Sequence, residues 1–457
     1  MHPNIIFIFS DQQRHRTTRI GGNPLIQTPN LDRLGTEGAY FENAFSSCPI
    51  CSPYRAQVMT GRYAHANGVP CNEYKLFDDQ AFFSQVCKDA GYRTGFFGKW
   101  HLGYPPYSPD KRYGFDVMNA NNCFDNQYDV PHNHNEEDTV IAKEWSPTFE
   151  TNAAIRFLND CHDQAPDAPF LMMMSWTPPH WPYDQYPDRF KLYDPADIEL
   201  PPSVPEELRE QTRRETADYF GGVSAIDHEL GRVLDWLDEH GLTQNTIVAY
   251  SSDHGDHIGA HGYGKAKDKH MPRHLRASKQ TPYEESIHVP FLLRYPEKMD
   301  SGQRPSVLFN SVDVMPTLLG LAGLPVPDSV QGRDLSGSVR GERIEEPDSA
   351  YFQILGPGWP NRGLCVGYWR AVRTHRWTYA RWQKTNEVWL FDLENDPHQM
   401  TNLADDPAHK PVRDELETRL RQWLRETEDP FETGKRDPKT GMLILGQQLT
   451  DRPGRKR

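Results

Sequence analysis

A cysteine and an arginine one helical turn apart could together bind an oxyanion. They lie in the stretch CSPYRA at residues 51–56. Pro53 favours the first turn of a helix, and Gly61 is a typical helix end. Cys51 would then lie at the helix N-terminus, where free N–H groups and the helix dipole favour negative charge, with Arg55 on the same face. Taken alone, Cys51 is more simply interpreted as a small buried side chain.

Four apolar segments run directly into side chains that can carry a proton, a charge or a metal ion. We predict buried strands at residues 4–10, 94–97, 170–176 and 246–251. The residues that follow them are Asp11 and Gln12, then Lys99 and His101, then His180, and finally Asp253 and His254. Ligands of open α/β sheets bind beyond the carboxyl ends of the strands, so we expect these side chains along one edge. Strand ends are often polar without a function, but four such ends together favour a site.

The stretch 51–56, with Thr-Gly-Arg at 60–62, closely resembles the signature of the sulfatase family, Cys/Ser-x-Pro-x-Arg with a trailing Thr-Gly-Arg. Further matches in the family's order lie at residues 98–103, 178–180, 252–255, 283–286, 289–290, 391–397 and 402–403. Together they extend over about residues 4 to 405. The resemblance implies a sulfuric ester hydrolase of the alkaline phosphatase superfamily. In that family the cysteine is oxidised to formylglycine, whose hydrate attacks sulfur. Tyr54 stands where the family usually has Ser.

The resemblance assigns one divalent metal ion to Asp11, Gln12, Asp253 and His254, with one oxygen of the formylglycine completing the site. A hard cation prefers oxygen ligands and would neutralise charge on the sulfuryl oxygens. The family usually has Asp where Gln12 stands and often Asn where His254 stands. Calcium is expected from family precedent, with magnesium or manganese as alternatives, because a nitrogen ligand suits manganese or zinc better than calcium. A hydrogen-bonding role outside the coordination sphere is the alternative for His254.

Arg55 and Lys99 are similar to the family residues that orient the formylglycine and bind sulfate oxygens. His101 resembles the family's base, which takes a proton from the hemiacetal so that sulfate is eliminated and the aldehyde regenerates. The resemblance therefore implies that these three residues act directly on the nucleophile and the sulfate group.

His180 and one lysine are similar to the family's groups that bind sulfate and protonate the leaving oxygen. The family's lysine lies shortly before the segment at 283–286, which predicts Lys279, with Lys265 as the alternative. The basic residues of this region are Lys265, Lys267, Lys269, Arg273 and Arg276. They form either a solvated basic loop or the local positive patch that an acidic protein needs for a polyanionic substrate.

The bulk composition excludes several classes of protein. Lys and Arg number 50 against 64 Asp and Glu, and the formal net charge of −14 argues against broad binding to nucleic acids or anionic membranes. No apolar run approaches the about 18 residues of a membrane span. The seven cysteines lack a zinc-binding spacing, and the pair Cys48 and Cys51 is a weak redox motif. The N-terminus does not resemble a signal peptide, which predicts a cytoplasmic protein as written, or a periplasmic or secreted one if a leader was trimmed.

The alternation of short strands and helical patterns in residues 1–347 predicts an α/β catalytic domain with a large, mostly parallel sheet flanked by helices. It includes a further strand at 289–295, a helix capped by Thr28, and helices at 149–161, 213–240 and 313–321. Residues 348–457 are predicted to form a smaller C-terminal subdomain. Its elements are short antiparallel strands at 368–374, 377–381 and 388–392 and a helix at 408–426.

A sulfated saccharide is the expected substrate class, and a formylglycine-generating enzyme is the expected partner during maturation. The aromatic residues that could stack on sugar rings, or belong to the core, are Trp181, Tyr183, Trp359 and Trp369. The polar run at 119–138, with His132 and His134, could line a pocket or form a surface loop. The alternative functions are a phosphonate monoester hydrolase or phosphodiesterase of the same superfamily, and a catalytically silent binding protein. The sequence does not indicate an oligomeric state.

Overall fold

The computed structural model describes residues 2–263, 279–357, 367–439 and 441–450. The strands are β1 Asn4–Asp11, β2 Ala39–Tyr40, β3 Ala44–Phe45, β4 Tyr74–Lys75, β5 Arg93–Lys99, β6 Val117–Asn121, β7 Val130–His134, β8 Val140–Ala142, β9 Phe170–Pro179, β10 Thr246–Ser252, β11 Leu292–Arg294, β12 Phe309–Asn310, β13 Ala350–Ile354, β14 Trp369–Arg373, β15 Trp377–Trp382, β16 Val388–Asp392 and β17 Gln448–Leu449. The helices are α1 Pro29–Thr36, α2 Cys51–Thr60, α3 Ala64–Asn67, α4 Phe83–Asp89, α5 Ser146–Gln164, α6 Arg209–Glu239, α7 Glu284–Ile287, α8 Val314–Ala322 and α9 Lys410–Glu426. None of these described helices is long and apolar enough to cross a membrane.

The main sheet has nine strands in the described residues, in the order β2-β11-β10-β1-β9-β5-β6-β7-β8. The five strands from β10 to β6 are parallel, and both edges are antiparallel. The prediction of a large, mostly parallel sheet is therefore confirmed. Strands β10, β1, β9 and β5 are consecutive neighbours, so their carboxyl ends meet at one edge of the sheet. The strand predicted at 289–295 is only β11, Leu292–Arg294, and runs antiparallel to β10.

Strand β1 shows why an uninterrupted apolar run forms a central strand. All of its eight residues are buried. Ile5, Phe7 and Phe9 pack into one core cluster with residues of α2, α4 and α8. Ile6 and Ile8 pack into a second cluster with residues of α1, α5 and α6. Successive side chains of a strand point to opposite faces, so a strand that is covered on both faces needs apolar residues throughout.

The C-terminal subdomain contains a four-stranded antiparallel sheet in the order β13-β14-β15-β16, and α9 packs against β14 and β15. Three of these strands and the helix agree with the predicted segments. The strand β13, Ala350–Ile354, was not predicted, because it follows a polar segment and contains Gln353. Phe352 and Ile354 pack into the core of the main sheet, whereas Tyr351 packs towards α9. One face of the small sheet therefore packs against the main domain, and the other face packs against α9.

Thr28 does not cap α1 as predicted. Its hydroxyl accepts a hydrogen bond from the backbone N–H of Arg19 at 3.0 Å, and it makes no capping hydrogen bond to α1. The carboxylate of Asp227 in α6 instead accepts from the backbone N–H groups of Asn30 and Leu31, at 3.1 and 2.7 Å. A side chain distant in sequence therefore fills the role that local sequence predicts for Thr28.

The polar run at 119–138 contributes two strands, β6 and β7, to the main sheet. His132 is buried, and its Nε2 lies 3.0 Å from Glu150 Oε1. Asn121 and Ser146 also donate to that carboxylate oxygen, both at 2.8 Å. His132 is thus part of a buried hydrogen-bond network that joins β6, β7 and α5.

Asp429 forms a buried ion pair within the C-terminal subdomain and also contacts the main domain through His65. It accepts two hydrogen bonds from Arg370 in β14, at 2.7 and 2.9 Å. Tyr351 in β13 donates a third at 2.7 Å, and His65 Nδ1 in α3 lies 3.3 Å away. Burial opposes ionisation, but the Arg370 guanidinium outweighs it and lowers the pKa of Asp429 to about 2. The carboxylate is therefore charged at neutral pH.

Replacing Asp429 with asparagine is expected to lower the free energy of unfolding by about 3–5 kcal/mol, because the buried Arg370 loses its counterion. Denaturant titration followed by circular dichroism would measure the change. The native pKa of Asp429 lies below the unfolded value of about 3.9, so the carboxylate contributes stability above about pH 4. That contribution is lost as the pH falls towards about 2, and the variant should lack this part of the pH dependence.

The control for this prediction is Asp414→Asn, which removes an exposed ion pair with Lys410 on α9. An exposed pair of this kind contributes little, so the free energy of unfolding should hardly change. Equal stabilities of the Asp429 and Asp414 variants would contradict the assigned role of Asp429.

Candidate active site

Helix α2 begins at Cys51 and ends at Thr60, and Gly61 caps it with a left-handed φ of 63°, which agrees with the helix end predicted at Gly61. The backbone N–H of Ser52 donates to Asn72 Oδ1 at 3.0 Å. The hydroxyl of Ser52 donates to the backbone oxygen of His101 at 2.6 Å. These contacts fix the first turn of α2 against the segment between α3 and β4 and against the loop after β5. Cys51 itself is only 2% exposed, so its sulfur lies inside the site.

Four side chains at this edge of the sheet bring metal-binding atoms together. One ligand atom from each of Asp11, Cys51, Asp253 and His254 lies within 4.8 Å of the others. Cys51 Sγ lies 3.4 Å from His254 Nε2 and 3.8 Å from Asp11 Oδ1. His254 Nδ1 lies 2.9 Å from the backbone oxygen of Gly255, which can only accept a hydrogen bond. The proton therefore lies on Nδ1, and the lone pair of Nε2 faces the cluster.

Gln12 adds an amide oxygen to these atoms. Its backbone has a φ of 71°, a conformation uncommon for residues other than glycine. Its backbone N–H donates to Asp253 Oδ1 at 3.0 Å, and its backbone oxygen accepts from Tyr219 Oη at 2.6 Å. Its side-chain Oε1 accepts from Lys279 Nζ at 3.3 Å. The structure therefore brings all four predicted metal-binding residues together, while their binding of metal stays a prediction.

Two buried cations lie against the carboxylates. Lys99 Nζ is 2.5 Å from Asp11 Oδ2. Arg55 Nη2 is 3.2 Å from both Asp11 Oδ2 and Asp253 Oδ2. The other end of the guanidinium donates to Ser175 Oγ at 2.6 Å and to the backbone oxygen of Lys99. Arg55 is thus held in one orientation by groups from β1, β5, β9 and the end of β10.

Lys279 is the third cation and the one nearest to the candidate nucleophile. Its Nζ lies 3.2 Å from Cys51 Sγ and 2.9 Å from His254 Nε2. The sequence left Lys265 as the alternative for this position. Lys265 and the other basic residues of that loop lie outside the described residues. The structure therefore brings Lys279 to the site, and its catalytic role stays a prediction.

The two aspartates differ electrostatically. Burial favours the neutral form of Asp11, but the nearby ammonium of Lys99 outweighs it and holds the pKa of Asp11 well below its usual range. Burial and the charge of Asp11 raise the pKa of Asp253. The carboxylates repel each other, and a divalent cation between them would relieve that repulsion. Two carboxylates, an amide oxygen and an imidazole nitrogen are a donor set that fits such a cation.

Both predicted catalytic histidines lie at the site. Burial, with the charges of Lys99 and Arg55, lowers the pKa of His101 well below its usual range. His180 follows β9, and its Nδ1 donates to the backbone oxygen of Trp181 at 2.6 Å. Burial also lowers the pKa of His180, which lies in the fields of Asp11 and the cationic side chains. Neutral imidazoles at neutral pH can accept a proton, as general-base chemistry requires.

Several residues that hold the site had no predicted role. They are Asn72, Ser175, Tyr219 and Asp256, together with Tyr183, which was considered only as a sugar-binding aromatic. Asp256 lies two residues after His254, a predicted metal ligand. An acidic side chain so close to the predicted ligands could have indicated a role for Asp256 in the site. Asn72 has no local signal, because it lies 20 residues from the N–H group that it binds.

The aromatic candidates for sugar stacking are mainly core residues. Tyr183 is 6% exposed, and Trp369 is fully buried with its Nε1 donating to the backbone oxygen of Gln280 at 2.9 Å. Trp181 is partly exposed beside His180. Trp359 lies outside the described residues. Of the three candidates that the structure describes, Trp181 is therefore the one that remains for contact with a sugar ring.

The chain matches sulfatase models and sulfatases over most of its length. The family model described as sulfatase matches residues 3–324, and the model for the C-terminal region of N-sulphoglucosamine sulphohydrolase matches residues 274–426. An ulvan-active sulfatase of Formosa agariphila is 33% identical, over 94% of this chain and 83% of that protein. An N-acetylglucosamine-6-O-sulfatase of Bacteroides thetaiotaomicron is 25% identical, over 98% of this chain and 90% of that protein. A solved 4S-sulfatase from glycosaminoglycan metabolism of the same organism has a TM-score of 0.82 and 29% identity, over 95% of this chain and 98% of that chain.

A protein that acts on phosphorus esters, the alternative function, is similar to this chain at lower sequence identity. The phosphonate monoester hydrolase of Agrobacterium radiobacter has a TM-score of 0.74 and 21% identity, over 97% of this chain and 99% of that chain. At that identity the likeness shows a shared fold and carries no argument about the reaction.

Proposed function

Because the chain belongs to the sulfatase family and is a sulfuric ester hydrolase, we propose that it removes sulfate from a sulfated carbohydrate and uses Cys51, converted to formylglycine, as its nucleophile. One observation carries the proposal. Cys51 Sγ lies beside the ammonium of Lys279, at 3.2 Å, and within the cluster formed by Asp11, Asp253 and His254. A sulfate group bound beside Cys51 would therefore be next to positive charge. A nucleophile formed at Cys51 would lie next to the same charge.

Asp11, Gln12, Asp253 and His254 would hold one divalent metal ion. That ion would supply positive charge for the sulfuryl oxygens. The two carboxylates and the amide oxygen favour calcium by their chemistry, with magnesium as an alternative, whereas the imidazole nitrogen of His254 favours manganese. Formylglycine would supply a hydrated aldehyde as the attacking group, so the maturing chain needs a formylglycine-generating enzyme as a partner.

The other residues of the site bind and orient the substrate or move protons. Arg55 and Lys99 bind carboxylates that cluster with Cys51, so they orient the nucleophile and attract sulfate oxygens. His101 is neutral and buried, which suits the base that regenerates the aldehyde. Lys279 binds sulfate and donates a proton to the leaving oxygen, and His180 shares this role in its protonated form, which an anionic substrate favours.

The sulfated carbohydrate is proposed as substrate from the relatives together with the charge distribution of this protein. The protein has a formal net charge of −14, so an anionic substrate is repelled by most of the surface. Arg55, Lys99 and Lys279 outnumber the carboxylates of Asp11 and Asp253 at the edge where the candidate nucleophile lies, so this edge is locally positive. Local charge of this kind attracts an anionic group and orients it.

Sulfate release from saccharides is the expected activity, since the site combines a buried nucleophile with three cations. The protein would be co-expressed with a formylglycine-generating enzyme, and peptide mass would verify the conversion of Cys51. Inorganic sulfate would then be measured with saccharides sulfated at different positions. Phosphate and phosphonate diesters are the matched control substrates. Turnover of the phosphorus esters without any sulfate release would contradict the proposed function.

A further inference from the structure

Asp256 is a fully buried aspartate that lies behind the proposed metal site. Its Oδ2 accepts hydrogen bonds from Gln12 Nε2 and from Tyr183 Oη, the latter at 2.5 Å. Its Oδ1 accepts from the backbone N–H of Ile258 at 3.1 Å. Donors therefore face both carboxylate oxygens, and the contact with Gln12 connects Asp256 to the site.

The chemistry of this contact determines which way the Gln12 amide faces. An ionised carboxylate can only accept hydrogen bonds, so the nitrogen of the amide must face Asp256. The oxygen must then face the opposite way. In the structure it does so, and Gln12 Oε1 lies 3.3 Å from Lys279 Nζ, which is itself 3.2 Å from Cys51 Sγ. Without an acceptor at 256, the amide could turn and present N–H groups, which cannot bind a cation.

The backbone of Gln12 cannot compensate for such a turn, because it is held at both ends. Its N–H donates to Asp253 and its carbonyl oxygen accepts from Tyr219, while its φ of 71° is unfavourable for a residue with a Cβ. The side chain therefore starts from a fixed point. The freedom that remains lies in the side-chain torsions, and the hydrogen bond from Nε2 to the carboxylate of Asp256 restricts them.

We propose that Asp256 is a positioning residue that directs the Gln12 amide oxygen into the metal site. Through the amide, Asp256 also supplies the negative charge that a carboxylate at position 12 would bring directly. The proposal rests on the metal site of the proposed function. A hydrogen bond from Nε2 to a carboxylate polarises the amide and increases the electron density on Oε1. Hydrogen-bond partners of metal ligands commonly have this orienting and tuning effect.

Metal binding by the full-length protein tests the proposal without depending on turnover. The protein would be stripped with a chelator and titrated calorimetrically with Ca²⁺ and, separately, Mn²⁺. The variant Asp256→Asn is expected to raise the dissociation constant of the metal about 10–100-fold. An asparagine at 256 has one oxygen for donors that approach from two sides, so it cannot satisfy Gln12 and Ile258 together.

Asp227→Asn is the matched control. Asp227 is also a buried aspartate that accepts backbone N–H groups, but its partners are Asn30 and Leu31 in α1. This variant is expected to change thermal unfolding and to leave the metal dissociation constant unchanged. Equal weakening of metal binding by both variants would overturn the proposal in favour of a general structural effect.

A second pair of variants separates orientation from folding. In a Gln12→Glu background, two carboxylates face each other, and Asp256→Asn replaces one of them with a group that can donate. The same substitution that weakens metal binding in the wild-type background is therefore expected to strengthen it about 10-fold or more in the Gln12→Glu background. A purely structural role for Asp256 predicts weakening in both backgrounds, and that result would overturn the proposal.

The wild-type titration separates failure of this proposal from failure of the metal site. If the wild-type protein binds neither Ca²⁺ nor Mn²⁺, the proposed metal site is wrong, and the proposed role of Asp256 is wrong as well. If the wild-type protein binds metal and Asp256→Asn binds it equally well, only the role of Asp256 is wrong. Weakened binding in Asp256→Asn, reversed in the Gln12→Glu background, supports the proposal.

Discussion

Substitution of Cys51 by alanine is expected to eliminate sulfate release, with a loss of kcat of at least about 10³-fold, the scale seen when an enzyme loses its nucleophile. The thiol is the only group of Cys51 that alanine lacks, so the substitution removes the nucleophile and little packing volume. Sulfate release from the best saccharide would be compared for wild-type and variant proteins after co-expression with the formylglycine-generating enzyme. Circular dichroism and thermal unfolding would verify that the variant folds.

Cys48→Ala is the matched control for this experiment. Cys48 is also buried and lies three residues before Cys51, but burial raises the pKa of its thiol, and it packs in the hydrophobic core. This variant should retain activity with modest destabilisation. Near wild-type activity in Cys51→Ala would disprove the proposal that residue 51 supplies the nucleophile. Equal loss of activity in both cysteine variants would instead point to the CxxC pair as the functional unit.

Replacement of Lys279 by alanine is expected to lower kcat about 10²–10⁴-fold, the contribution typical of a positioned proton donor. Its ammonium lies 3.2 Å from Cys51 Sγ and 2.9 Å from His254 Nε2, so no other described lysine is as close to the sulfur atom. Steady-state kinetics on the same saccharide would measure the loss. A substrate with a more acidic leaving group should lose less activity, because it needs less help from a proton donor.

Lys265→Ala is the comparison, because Lys265 was the alternative from sequence. It should leave kcat nearly unchanged and, if its loop attracts the substrate, raise KM at low salt only. Equal effects of the two substitutions, or a larger effect of Lys265→Ala, would show that the catalytic lysine has been placed wrongly.

The parts of the fold that could be predicted are those in which one residue type repeats over a whole element. Strand β1 could be recognised because it is covered on both faces and therefore apolar at every position. Strand β13 is also entirely buried, but its sequence AYFQI contains a glutamine and follows a polar segment. Gln353 is buried because its backbone N–H and side chain bind Ser47 and His65 in the main domain. A contact of that kind has no counterpart in the local pattern.

The same limit applies to the candidate site. Residues that end strands, such as Asp11 and Asp253, could be predicted because the edge of a parallel sheet collects them. Asn72 and Asp227 could not be predicted, because each binds N–H groups of a helix that lies elsewhere in the chain. The helix starts were visible in the sequence, but which distant side chain satisfies them depends on tertiary packing.

The strand order has a consequence for synthesis of the protein on the ribosome. Strand β1 is made first, yet its two neighbours in the sheet are β9, Phe170–Pro179, and β10, Thr246–Ser252. Until those strands emerge, β1 is an apolar segment with unpaired backbone groups on both sides, which is the kind of segment that associates with other chains. The edge that carries Asp11 beside Asp253 exists only after more than half of the chain has been translated. Nascent chains should therefore depend on chaperones through that interval, and any truncation before β10 should yield insoluble protein rather than a partly active enzyme.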